Sequence, residues 1–439
     1  MKTIGIDIGT TTISGVVIDM DQKNVIESRT VSNGSFLQAA HDWERIQDVD
    51  AILRKAQSLV DELLDRNPDA SSIGITGQMH GIVYIDKEGK HVSPLYTWQD
   101  RRGDLADEKT GVSPVEEIRE KTGAVVSAGY GLVTQLSLQR RGLVPEDAAA
   151  LCTIGDYLGM VLTGRDRPLI HISNAASLGL FDSRNLRFDL ENIRKCGISE
   201  ELLPEVTADV EVLGLYRRIP VHAAIGDNQA SFLGAAGDQE YALLINMGTG
   251  GQISLLTDKY TEIEGIETRP FARGKYLLVG ASLCGGRAYA VLEQFFRLYA
   301  EALAPGAGPQ YEVMERLVNG MDRSELSVST LFAGTRDDPD LRGSVTNISE
   351  DNFTPAMLIY GVLTGMAEEL YEMYQKISEA TGIRAAKLIA SGNGLKKNAA
   401  LQAICSRMFQ AELEMAAVKE EAAAGAARAA MSSGVYTEG

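Results

Sequence analysis

The chain has 439 residues with 42 Lys and Arg against 60 Asp and Glu, a formal charge of −18 that excludes a basic coat for nucleic acid, since phosphate polymers would be repelled. Hydrophobic residues at 44% and charged residues at 23% exclude a disordered or coiled-coil chain, and at roughly 100–200 residues per domain the length predicts two to three domains. No apolar run approaches the roughly 18–20 residues of a bilayer span, and Asp7 interrupts the N-terminus before any signal-peptide pattern forms, so a cytoplasmic protein without membrane or nucleic-acid partners is expected. The four cysteines, Cys152, Cys196, Cys284 and Cys405, lie far apart with no CxxC pair; they predict buried apolar residues, not a disulfide framework or a zinc site.

In chain order, Ile4, Ile6 and Ile8 alternate with Thr3, Gly5 and Asp7, and after Gly9-Thr10-Thr11-Thr12 the alternation resumes from Ile13 to Asp19: a strand, a tight polar turn and a second strand. Residues 48–66 carry apolar positions at helical spacing, ended by Asn67-Pro68 before a strand over 72–76. A helix leading into a strand implies an α/β layer fold. The polar segment 182–218 precedes an apolar strand over 221–225, which puts a domain boundary near Pro220. Tyr241 to Leu256 then repeats the opening design, with Gly248-Thr249-Gly250-Gly251 as its turn. Further on, 355–380 reads as a long amphipathic helix, 387–390 as a strand, Gly392-Asn393-Gly394 as a loop and 398–409 as a helix. The chain is thus duplicated in design, at a period far too long for a solenoid.

No P-loop is present, because Gly89-Lys90 and Gly274-Lys275 are followed by His91 and Tyr276, and Lys397 stands where Gly392-x-Gly394 would need its third glycine for a dinucleotide fingerprint. The two Gly/Thr turns carry more chemistry. Glycine lets the backbone fold around an anion, and Thr hydroxyls and amides bond phosphate oxygens. Asp7 could hold Mg²⁺ through water, an ion that commonly takes one or two carboxylates plus substrate phosphates. Either turn alone is equally a plain hairpin; together they point to a clamp on a nucleotide triphosphate. The cluster Asp337-Asp338-Pro339-Asp340 with Arg336 and Arg342 reads as a solvated loop.

With these hairpins the chain resembles the actin, Hsp70 and sugar-kinase superfamily, and within it the FGGY carbohydrate kinases, closest to the sedoheptulokinase and xylulokinase branch. Gly77-Gln78-Met79-His80-Gly81 resembles that branch's sugar segment, and Thr97-Trp98-Gln99-Asp100 with Arg102 resembles the TWQDGR segment of sedoheptulokinases. Ser173 to Ser177 with Leu180-Phe181-Asp182, Gly226-Asp227-Asn228, and Ser391 to Gly394 with Asn398 are similar to further family segments in the same order, spanning residue 1 to about 430. Arg101 departs from the branch's glycine and resembles the paired arginines of glycerol kinases, and residues 129–142 lack the Lys and Trp of a family signature.

The resemblance implies two actin-like, ribonuclease H-like α/β domains with an interdomain cleft, 1–220 carrying the sugar site and first phosphate turn, 221–439 the base, second turn and adenosine loop. It implies ATP-dependent phosphorylation of a ketose, with sedoheptulose ahead of xylulose and of other polyols or ketoses, and a non-catalytic actin-like sugar sensor as the reading from another class. Asp227 would be the general base. Gln78, Met79, His80, Trp98, Asp100 and Asn228 would contact the sugar, although Trp98 read alone is equally a core residue. Gly9, Thr10, Thr11, Thr12, Gly248, Thr249 and Gly250 would hold phosphates of MgATP, Gly392, Asn393 and Asn398 would line the adenosine pocket, and Asp7 would serve the metal. Partners are the small-molecule sugar and MgATP; a homodimer would fit the resemblance.

Overall fold

The computed structural model describes residues 1–432 apart from 108, 109, 238, 240, 336, 337 and 339. It divides into two compact units, Met1–Gly237 with Arg269–Tyr276 and Val418–Gly439, and Asp238–Thr268 with Leu277–Ala417.

In the first unit, the hairpin Lys2–Ile8 and Thr12–Asp19 sits in the middle of a mixed sheet ordered Val212–Tyr216, Ile219–His222, Ala70–Gly77, Lys2–Ile8, Thr12–Asp19, Asn24–Ser32. The helix Val49–Arg66, capped by the Asp48 side chain on the Ala51 N–H, buries its Val49, Ile52, Ala56 and Leu63 stripe on one face of this sheet and leads into Ala70–Gly77, which runs parallel to Lys2–Ile8. The other face of Lys2–Ile8 is not open either. The alanine-rich helix Glu421–Ser432 lies on it so closely that a Cβ on Gly5 would stand 1.9 Å from the Ala423 carbonyl oxygen, and one on Gly74 1.9 Å from that of Ala426. Alternation in this strand therefore separates large from small residues, not buried from exposed, because a backbone packed on a backbone has room only for glycine. A separate core under the sheet's loops gathers Ile82, Tyr84, Leu132, Leu136, Leu151 and Ile193.

In the second unit, the hairpin Ala242–Met247 and Gly251–Thr257 again pairs antiparallel and again takes a parallel neighbour, Lys387–Ser391, reached through the long helix Pro355–Thr381. Thr354 caps that helix at its start and Gly382, in the left-handed region, ends it. Hairpin, helix and parallel strand recur in the same order, which is the duplication expected from the two Gly/Thr turns. The core of this unit joins Ile245, Leu278, Ile359, Leu363, Leu370, Leu388 and Phe409.

The boundary differs from the expected residue 220. Val221 pairs with Ile73 and Ile225 with Thr76, and the helix Asp227–Ala236 packs under Glu421–Ser432, so the segment carrying Asp227 belongs to the first unit, not to a C-terminal domain. The interruption of the polar segment at 219 is a hairpin turn inside the first sheet, which composition alone does not distinguish from a linker. All four cysteines are buried and free. Arg336, Asp337 and Pro339 of the acidic cluster lie outside the described residues; Asp340 and Arg342 are exposed and 3.9 Å apart. No described helix is long and apolar enough to cross a membrane.

Candidate active site

Asp227 opens the helix Asp227–Ala236 immediately after Ile225–Gly226, which pairs with the carboxyl end of Ala70–Gly77. The turn is mounted on the Ser173–Ser177 segment: Gly226 N donates to Ser173 Oγ at 2.8 Å, and Asn174 Nδ2 donates to the Ala224 carbonyl at 3.0 Å. Ser173 Oγ in turn lies 2.7 Å from Nδ1 of His171, which burial holds neutral with a pKa pulled down to about 4. A helix N-terminus favours a carboxylate. Burial opposes it more strongly and raises Asp227 to about 6, against the pull of Arg269 and of hydrogen bonds from Asn228, whose Nδ2 donates to Asp227 Oδ1 at 3.1 Å. Asp7, at the end of Lys2–Ile8, is raised to about 7 by burial and then by the charges of Asp227 and Glu420.

His80 has the positive φ of 70° that non-glycine residues rarely adopt. Ser177 holds it there: His80 N donates to Ser177 Oγ at 3.1 Å and His80 Nδ1 to the Ser177 carbonyl at 2.7 Å. A carbonyl can only accept, so Nδ1 carries the proton, and in the neutral ring Nε2 is an acceptor suited to a sugar hydroxyl. The ring stacks on Tyr130 at 4.5 Å and 7°. Met79 is buried against Gly226, its sulfur 3.9 Å from Asn228 Nδ2, so it backs the Asp227 turn more than it forms a wall for sugar.

Trp98 is 48% exposed, which removes the core reading, and its indole N–H donates to Thr10 Oγ1 at 3.0 Å. Gln78 was expected on the sugar; it is buried instead, donating to Gln47 Oε1 at 2.8 Å and accepting from Thr10 Oγ1 at 3.5 Å. The Thr10 hydroxyl, placed on phosphate by the sequence reading, is therefore spent on Trp98 and Gln78. Asp100 is also corrected. It is fully buried, taking Arg102 Nε at 2.7 Å and Nη2 at 3.0 Å, with the backbone N–H groups of Arg102 and Arg45 at 3.0 Å each, so it has no oxygen to offer a sugar. Arg102 lies over the Tyr96 ring at 4.3 Å and the Trp43 ring at 5.5 Å. Asp100 and Arg102 thus form the rigid base from which Trp98 projects. Arg101, the departure from the branch pattern, faces the surface and pairs with Asp104 at 2.9 Å.

The turn at Gly9 to Thr12 has its carbonyls drawn back: Asn33 Nδ2 donates to Gly9 O at 2.8 Å, Gln47 Nε2 to Thr10 O at 2.9 Å, and Asn33 N to Thr11 O at 2.8 Å. With those oxygens held, the exposed Thr11 and Thr12 present hydroxyls and amides, the groups an anion needs. The second unit repeats the device by other means. At Gly248 to Gly250, Gly286 N donates to Gly248 O at 3.0 Å and Arg287 N to Thr249 O at 2.9 Å, both from the start of the helix Gly285–Leu303. Gly392 lies beside this turn with φ of 84°, where a Cβ would meet the Met247 carbonyl oxygen at 2.5 Å, and Asn393, next to it, is exposed. Asn398, expected in the adenosine pocket, is buried, and its Oδ1 caps the helix Ala399–Phe409 on the Leu401 N–H at 2.9 Å. An Asn just ahead of an apolar helix is a preferred cap, and that role competes with ligand binding.

The sequence reading missed Tyr130, Arg269 and Tyr289. Tyr130 is the only aromatic residue in 129–142, a usable signal. Arg269 carries no local pattern, since its charge bears on Asp227 only because Arg269–Tyr276 folds into the first unit. Tyr289 sits one turn into Gly285–Leu303, tilted against Tyr311 at 5.9 Å, its hydroxyl pushed up to about 12 by burial.

Residues 2–245 match the N-terminal domain of the FGGY family of carbohydrate kinases, and residues 243–434 match its C-terminal domain. The chain belongs to this family. Its activity is therefore that of an ATP-dependent carbohydrate kinase. The kinase is 27% identical over 460 residues to the sedoheptulokinase of Mus musculus, covering 93% of this chain and 92% of that one. It is similar in fold to a xylulose kinase from Rhodospirillum rubrum (TM-score 0.83, 22% identity, 100% and 91% coverage) and to Plasmodium falciparum glycerol kinase with ADP (TM-score 0.79, 20% identity, 99% and 90% coverage). Among the described residues of the kinase no group of three or more His, Cys, Asp or Glu is arranged to hold a metal. A site built from one carboxylate and substrate phosphates needs none.

Proposed function

We propose that this kinase transfers the γ-phosphoryl group of ATP to a hydroxyl of a ketose, sedoheptulose first, with Asp227 as general base. The observation that carries the reading is the placement of Asp227: a carboxyl at the end of a sheet strand, raised to about 6 and flanked by Asn228, with its turn on the same Ser173–Ser177 segment that orients His80. A base whose pKa lies near neutrality takes a proton without being protonated throughout.

In the proposed step His80 Nε2 and Asn228 orient the acceptor sugar, and the face of Trp98 covers its C–H surface. Tyr130 fixes the His80 ring. The attacking hydroxyl gives its proton to Asp227 as its oxygen bonds to the γ-phosphorus and the bond to the β-phosphate oxygen breaks, leaving ADP and a sugar phosphate. In the first unit the turn at Gly9 to Thr12 offers amides and hydroxyls to phosphate; in the second unit the turn at Gly248 to Gly250 does the same, and Gly392 and Asn393 beside it allow a nucleotide a close backbone approach. Mg²⁺ fits the donor set at Asp7, because a carboxyl raised by burial and then by the charges of Asp227 and Glu420 gains from a cation; bound there, it would neutralise charge on the phosphates. A cytoplasmic location, where ATP is at hand, is part of this proposal.

Sedoheptulose is favoured by the sedoheptulokinase similarity over 93% of the chain together with Gly77 to Gly81 and Thr97 to Asp100. The test is ADP release with MgATP against sedoheptulose, xylulose, ribulose, fructose, glycerol and no sugar, run beside Asp227→Ala. Turnover greatest on sedoheptulose and lost in the variant supports the whole reading. Greatest turnover on xylulose or glycerol overturns the substrate, and no sugar-dependent turnover despite ATP binding overturns the mechanism in favour of a sugar sensor.

A further inference from the structure

We propose that His171 is a positioning residue for Asp227, fixing through Ser173 the peptide that leads into the base. The inference rests on the reading of Asp227 as general base and adds to it a buried group that the proposed step does not use.

The peptide between Ile225 and Gly226 is pinned at both ends. Thr76 Oγ1 donates to the Ile225 carbonyl at 2.8 Å, and Gly226 N donates to Ser173 Oγ at 2.8 Å. Because a peptide group is planar, two such bonds fix the direction in which the chain enters Asp227. Gly226 has no side chain to help, and none would fit: a Cβ there would stand 2.6 Å from Met79 Cε and 2.7 Å from Gln229 Oε1. The placement of the turn is therefore left to bonds on its backbone.

The direction of each hydrogen bond behind this peptide can be worked out. His171 Nδ1 caps the helix Ile172–Ser177 by accepting from Ser173 N at 3.2 Å, so it carries no proton of its own. The 2.7 Å contact between Nδ1 and Ser173 Oγ must then be a bond donated by the hydroxyl, which leaves Oγ free to accept from Gly226 N. The ring is neutral, its pKa pulled down to about 4 by burial, and its single proton stands on Nε2. That nitrogen makes no close hydrogen bond among the described residues, with only the Ala208 backbone pulling on the ring. A side chain that merely filled the core would be better apolar; the ring forgoes a bond at Nε2 and keeps an acceptor at Nδ1. His80 is held in the opposite tautomer by the carbonyl of Ser177, at the far end of the same short helix.

Kinetics of sugar-dependent ADP release, run beside melting curves with and without MgATP, test this. Ser173→Ala keeps the helix cap, which uses only the Ser173 N–H, and releases Gly226. Its kcat should fall about tenfold to a hundredfold, with KM for ATP and the MgATP-induced rise in Tm near wild type. His171→Phe keeps a planar ring without the acceptor and should lose a similar factor, while His171→Asn, whose side-chain oxygen can replace Nδ1, should retain most of the activity. The losses in Ser173→Ala and His171→Phe should not multiply in the double variant, since both break one chain of bonds. NMR of the imidazole nitrogens should find His171 protonated on Nε2. Protonation on Nδ1 overturns the proposal, as do multiplying losses or a folded variant of either residue with wild-type kcat. If His171→Phe does not fold, Ser173→Ala and the tautomer decide. A wild type without sugar-dependent turnover, or an Asp227→Ala variant as active as wild type, overturns the general-base reading and this role with it. Failure of the role alone shows as Asp227-dependent turnover that Ser173→Ala and His171→Phe leave intact.

Discussion

The indole N–H of Trp98 donates to the hydroxyl of Thr10 across 3.0 Å, which ties the segment proposed to cover the sugar to the turn proposed to hold phosphate. Gln78 closes the link from the other side. Trp98→Phe keeps a ring for the sugar and removes the donor, so it should raise KM for ATP as well as for sugar, where a ring that only touched sugar would leave ATP unaffected. Thr10→Val should do the same, and the double variant should be less than additive, with a coupling of about 0.5–1.5 kcal/mol. Steady-state kinetics of the three variants check this; strict additivity would dissolve the link.

Asp227 is raised to about 6, and a general base works only when deprotonated. The acidic limb of kcat/KM should therefore fall about tenfold per pH unit below that value and level off above it. Asp227→Asn should lower kcat by about 10²–10⁴ and remove the limb, leaving the KM for ATP near wild type. A limb unchanged in the variant would assign the titration to another group.

How far the site was legible depends on what each residue bonds to. Asp227, His80 and the two turns sit in short patterns whose local geometry does the placing, and a turn needs only its own residues to be read. The hairpin–helix–strand order was legible for the same reason, since periods of two and near four residues survive in the sequence. Asp100, Gln78 and Asn398 were misplaced because a polar residue in a motif looks the same whether it faces a ligand or holds up a neighbour; only the positions of Arg102, Gln47 and the Leu401 amide decide. Arg269 was invisible because its charge acts on Asp227 from far along the chain. The boundary failed likewise: pairing of Val221 with Ile73 is a long-range fact.

Asp7 is raised to about 7 and Asp227 to about 6, so each holds its proton in the folded chain at pH values where the unfolded chain has lost it. Stability should thus decline as pH rises from about 4 to about 7, the reverse of a paired carboxylate. Asp7→Asn removes the buried charge and should raise stability at about pH 8 by about 1–3 kcal/mol, a few degrees in Tm, with the gain shrinking to roughly a third of that at about pH 5 and towards zero only below about pH 4. The same variant should lose most of the Tm increase that MgATP gives the wild type. Thermal melts at the two pH values, with and without MgATP, test both arms, and a destabilised variant at the higher pH would contradict the charge argument.

The helix Glu421–Ser432 can lie on the first sheet only because Gly5 and Gly74 have no side chains beneath it. A methyl group at Gly5 would sit 1.9 Å from a helix carbonyl, far inside contact distance, and neither backbone can yield without breaking strand pairing to Thr12–Asp19 or lifting the helix. Gly5→Ala should therefore cost about 3 kcal/mol or more, against a few tenths for Gly308→Ala, where nothing lies within 4 Å. The damage should also reach function, because Glu420, just before the helix, contributes to the field at Asp7 and accepts from Thr30 Oγ1 at 3.1 Å. If the helix lifts, Asp7 loses a neighbouring negative charge and part of its cover, so its pKa should drop and the MgATP-induced rise in Tm should shrink. Denaturant melts of the two glycine variants separate packing from general helix propensity, and equal losses at both positions would show that the close approach at Gly5 carries no special weight.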